Sequence, residues 1–83
     1  MKKSAKLLYD KIEDVAEKNI ANQFAIAGEI QKLVADADDE TLRAILEDVS
    51  KRLNSPGWGS YKSAVAGIKF ALEDVLNERN KQS

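Results

Sequence analysis

The residues able to do chemistry in this chain are few in kind. Cysteine and histidine are both absent, which removes thiolate and imidazole nucleophiles, disulfide staples and the usual ligands of zinc, copper and iron. Carboxylates, lysines, tyrosines and small hydroxyls remain. The densest acidic run is Asp36-Ala37-Asp38-Asp39-Glu40, followed by Glu47. It sets oxygen ligands at the first, third, fifth and twelfth positions of a calcium loop. The sixth position, where such a loop turns on glycine, is Thr41, and Leu42 to Glu47 read as amphipathic helix. The run is therefore expected to cap a helix, where carboxylates suit the positive end of the dipole, and not to hold calcium.

Acid–base catalysis needs a desolvated titratable group beside a partner in a cleft, and no spacing in the chain suggests one. Gly57-Trp58-Gly59 lacks the length and the lysine of a phosphate loop. The expectation is a protein that is not an enzyme and needs no cofactor or metal.

That leaves binding chemistry. Trp58 sits in the turn Ser55-Pro56-Gly57-Trp58-Gly59, with Tyr61 shortly after and Lys62 and Lys69 beyond. Aromatic residues on loops bury much area at small entropic cost, so Trp58, Tyr61, Lys62 and Lys69 are the candidate partner-binding residues. The competing reading has Trp58 folded back over one end of the structure. Lys51 and Arg52 suit the negative end of a helix. Specific DNA binding is not expected, because a helix beginning near residue 60 is too apolar to face a groove.

Positioning these residues falls to helices. Leu8, Ile12, Val15 and Ala16 make a stripe in a first helix over about 4–18, capped by Ser4. Ile26, Ile30, Leu33 and Ala37 make the second, about 21–36, with Asn19 or Asn22 as its cap. Neither proline nor glycine separates the first two stripes, but one continuous helix would set Asn19, Asn22 and Gln23 in its seam, so a bend is expected. Leu42, Ile45, Leu46, Val49 and Leu53 define the third helix, about 39–53. The fourth, about 60–79, carries Tyr61, Val65, Ile68, Leu72, Val75 and Leu76 behind a Ser60 cap. It frays near Arg79 into a disordered tail.

Small residues predict the packing. Ala21, Ala25 and Gly28 on the second helix and Ala64, Gly67 and Ala71 on the fourth should let these two approach most closely. The fourth is apolar almost all round from Ala64 to Leu72, so it is either central or half of a dimer interface. A Leu/Ile-x3-Leu/Ile-Glu-Asp-Val echo begins at residues 8, 42 and 68, too unevenly for a solenoid, and its Glu-Asp pairs are expected to face solvent.

With 83 residues, a mass of 9.2 kDa and 43% hydrophobic residues, the chain is expected to form one domain, an all-α compact antiparallel four-helix bundle. Its net charge of -1 provides no global field for nucleic acid or an anionic membrane. No signal peptide or membrane span is read in it, and the expected location is cytoplasmic. In size, lysine-bearing start and charged helical build it resembles the antidote and immunity proteins of bacterial or phage conflict systems, including bacteriocin immunity bundles. That resemblance is architectural, carried by no motif, and implies a small protein that captures or occludes another macromolecule. The alternative is a homo-oligomeric structural or assembly protein; a monomer or weak homodimer is expected.

Overall fold

The computed structural model describes residues 2–55 and 62–82. It contains four helices: α1 (Lys3–Lys18), α2 (Gln23–Leu33), α3 (Asp39–Leu53) and α4 (Lys62–Gln82). Among the described residues no strand occurs, and none of their helices is long and apolar enough to cross a membrane. The expected all-α bundle is the fold.

The ends follow from local chemistry, with corrections to the sequence reading. Ser4 does not cap α1. The helix begins earlier, with the Lys6 N–H donating to the Lys2 carbonyl at 3.0 Å, and Ser4 lies inside its first turn. The bend after α1 is built by two asparagines with different tasks. Asn19 closes α1, its side-chain amide donating to the Val15 carbonyl at 3.0 Å. Asn22 opens α2, its Oδ1 accepting from the Phe24 and Ala25 N–H groups at 3.2 and 3.3 Å. Asp38 caps α3 by accepting from the Thr41 N–H at 2.8 Å. Asn80 and Lys81 are not a disordered tail, since α4 continues through them to Gln82. The Pro56-Gly57 turn, the Ser60 cap and Ser83 lie outside the described residues.

The core is apolar throughout. Ile12, Ile26, Ile30, Val34, Leu42, Ile45, Val49, Ile68 and Leu72 are fully buried, and no polar or charged side chain is buried with them among the described residues. Leu8, Val15, Leu33, Leu46, Leu53, Val75 and Leu76 pack around them, half-buried. Such burial stabilises the fold by about 1.5–3 kcal/mol per large side chain.

The arrangement of the helices departs from a simple circuit. Consecutive helices reverse direction, but no Cα atom of α2 comes within 8 Å of one of α3 among the described residues. The closest pair is α2 and α4, which run the same way: Phe24 and Ala27 share a hollow with Gly67 and Phe70, Gln31 and Ala35 share the next with Asp74 and Glu78, and the Ala35 carbonyl accepts from Arg79. α1 and α3 also run alongside one another, with Lys2 by Glu40, Tyr9 by Asp48 and Glu13 by Arg52. α4 packs against all three others.

Small residues explain half of the α2–α4 approach. Ala64, Gly67 and Ala71 on α4 are buried as expected. Gly28 on α2 is not part of the contact. It is exposed, and a Cβ added there meets nothing within 4 Å.

Candidate functional site

Four large apolar side chains are exposed among the described residues, Leu7 and Ile20 on or just after α1 and two aromatic rings on α2 and α4. Phe24 on α2 is 91% exposed and Phe70 on α4 is 62% exposed. Helical geometry dictates both positions. Each lies two residues from a core isoleucine or leucine, Phe24 before Ile26 and Phe70 between Ile68 and Leu72, which turns it about 200° away from the core. Because α2 and α4 run side by side, the rings meet on one surface. With Ala27, Gly67 and Asp74 they line a groove of about 330 Å³. A second hollow continues the same seam, lined by Gln31, Ala35, Asp74, Val75, Glu78 and Arg79, so Asp74 belongs to both. The seam is thus aromatic toward the helix starts and acidic toward their ends.

Arg79 fixes the acidic end. Its Nη1 donates to Asp39 Oδ1 at 2.7 Å, and its Nη2 donates to the carbonyls of Ala35 at 3.2 Å and Val34 at 3.4 Å. One planar guanidinium therefore ties α4 to the end of α2 and the start of α3, a task its fork of donors suits.

The other polar cluster joins α1 to α3. Tyr9 donates to Asp48 Oδ2 at 2.7 Å, Arg52 Nε reaches the same oxygen at 3.2 Å, and Arg52 Nη1 lies 3.3 Å from Glu13 Oε1. The Arg52 guanidinium also stands 4.9 Å from the centre of the Tyr9 ring. Burial, then the bond to Asp48, raises the Tyr9 pKa far above that of a free phenol. This corrects the expectation that the Glu-Asp pairs all face solvent. Glu13 and Asp48 are half-buried and bind across helices, whereas Asp14 and Glu47 pair along their own helices with Lys18 and Lys51.

The carboxylates at the α3 start diverge. Asp38 turns to Thr41, Asp39 to Arg79, and Glu40 to Lys2 at 3.7 Å. The bond from the Thr41 side chain, then that from its backbone, lowers the Asp38 pKa below the usual carboxylate range. Among the described residues no three such groups gather where a metal ion could be held.

Of the sequence-based site residues, Trp58 and Tyr61 lie outside the described residues. Lys62 is the exposed first residue of α4 and Lys69 is half-exposed, but neither lines the seam. Phe24 and Phe70 were missed. The apolar surplus of the fourth helix was a signal for Phe70, and Phe24 became legible only once Asn22 was fixed as the cap.

No known protein family matches this sequence, and no curated protein or solved structure is similar to it.

Proposed function

We propose that this protein acts by binding another protein through the α2–α4 seam, as an inhibitor, antidote or immunity protein of a bacterial or phage conflict system does, and that it catalyses no reaction. The observation that carries this reading is the pair of exposed rings, Phe24 and Phe70, on either side of one groove. Covering a fully exposed phenylalanine side chain stabilises a complex by about 1.5–3 kcal/mol before the costs of association, and aromatic anchors on small-residue floors are typical hot spots. Ala27 and Gly67 form that floor. We assign Trp58, Tyr61, Lys62 and Lys69, the candidates read from the sequence, to the same partner.

The test is affinity capture from the native host with wild type and with the double variant F24S/F70S. Both rings are exposed, so the variant should keep its helical circular dichroism and thermal midpoint. It should lose the captured protein, or bind it more weakly by about 2 kcal/mol or more. Equal capture by both forms refutes the role of the seam, and the same comparison with Trp58→Ala tests the part assigned to Trp58. The alternative, a homo-oligomeric assembly protein, uses the same exposed rings to join copies. Sedimentation over a range of concentrations separates the two readings: a monomer or weak dimer supports partner capture, and a stable oligomer dissolved by F24S/F70S supports assembly.

A further inference from the structure

We infer that the partner presents an amphipathic helix, apolar over its first two turns and basic on the same face in the next, and that the α2–α4 seam receives it lengthwise. This rests on the reading of the seam as the binding surface and names what the surface is built to accept. From Gly67 to Glu78 the seam runs about 16 Å, the length of roughly three helical turns. An extended peptide gains its affinity by pairing with a sheet edge, and the walls here are two helices whose backbones bond internally. A helix brings its own backbone bonds and needs only side-chain contacts from the walls.

Charge selects the kind of helix. Asp74, where the aromatic and acidic parts meet, has no ion-pair partner among the described residues. Glu78 meets only the exposed Lys81, at 3.7 Å, a contact that an incoming cation displaces at little cost. Among the described residues the one cation lining the seam is Arg79, already engaged with Asp39 and two carbonyls. The acidic end therefore offers two carboxylates to a ligand that brings lysine or arginine, and it repels phosphate. A second copy is a poor occupant, because its seam carries the same carboxylates and, among the described residues, no lysine. Seam against seam would bring no new counter-charge to Asp74 or Glu78.

The experiment uses the full chain and two labelled synthetic peptides of about 18 residues, each long enough as a helix to cover the seam. One carries leucines along one face of its first half and lysines on that face of its second half; the other has glutamates in place of the lysines. Fluorescence anisotropy should show the lysine peptide binding about tenfold tighter or better, as two exposed pairs turn from repulsive to attractive, with the preference shrinking in high salt. The variant D74N/E78Q should bring the two peptides within about twofold of each other, because only neutral groups then face the charged end. F24S/F70S should weaken both. Equal binding of the two peptides by wild type, tighter binding of the glutamate peptide, or binding of neither overturns the inference. So does a seam-dependent dimer in sedimentation that excludes both peptides. If the peptides fail while F24S/F70S still abolishes capture of a host protein, the chemistry assigned to the partner is wrong and the seam remains the site; if that capture is unaffected too, both readings fall.

Discussion

The Tyr9 hydroxyl donates to Asp48 at 2.7 Å across 39 residues of sequence, and the Arg52 guanidinium that shares the same carboxylate oxygen stands over the Tyr9 ring. One carboxylate thus holds a phenol and a guanidinium together, and the three groups fix the register of α1 on α3. Tyr9→Phe should lower stability by about 1.5 kcal/mol, the scale of a hydrogen bond to a charged acceptor. Urea denaturation checks this, and a change below a few tenths of a kcal/mol counts against the link.

The same phenol carries a pH dependence. Burial, then the bond to Asp48, raises its pKa in the folded chain, whereas the unfolded phenol ionises near pH 10. The stability that neutral Tyr9 contributes is therefore complete below about pH 10 and is lost as pH rises toward the folded pKa. The stability gap between wild type and Y9F should stay constant from pH 7 to 9. Above pH 10 it should narrow by up to about 1.4 kcal/mol per pH unit. A gap unchanged at pH 11 contradicts the assignment.

Arg79→Lys should behave almost like Arg79→Ala. A single ammonium cannot serve the Asp39 carboxylate and the Val34 and Ala35 carbonyls at once, whereas the guanidinium fork does. Both variants should lose about 1–3 kcal/mol. Hydrogen exchange should show faster amides in the last turn of α4 and the first of α3. Full rescue by lysine shows that charge alone matters there.

Two small residues should respond in opposite senses. Gly28 is exposed, sits inside α2 and has open space where a Cβ would go, so Gly28→Ala should raise stability by about 0.5–1 kcal/mol through helix propensity. Ala71 is fully buried in α4, and Ala71→Leu should lower stability by about 1–3 kcal/mol by forcing packed helices apart. Thermal melts of the two variants measure both, and a destabilised G28A would place Gly28 in a contact after all.

Asp38→Ala should lower the thermal midpoint at neutral pH by removing the α3 cap. The bond to Thr41 holds the Asp38 pKa below its unfolded value, so the benefit is present above about pH 4 and is lost as pH falls through the lowered pKa. The midpoints of wild type and D38A should converge in acid. A difference that persists well below pH 3 points to a cause other than the charged cap.

What the sequence by itself determined is local. The stripes through Ile12, Ile26, Ile45 and Ile68 mark four helices because backbone bonds reach only four residues back, so periodicity and capping are legible within a short window. Asn19 and Asn22 marked the bend for the same reason, although only the structure assigns the closing task to one and the opening task to the other. Missing cysteine and histidine likewise bounded the chemistry without any fold. Only the tertiary structure decided that α2 lies parallel to α4 with its backbone held away from α3, that Asp48 and Glu13 turn toward Arg52, and that Phe24 and Phe70 share one groove. Those outcomes depend on how side-chain volumes interlock between segments some 40 residues apart. A helix stripe states that a face must be covered but carries no information on which helix covers it, or on which apolar residues are left outside when the core is full.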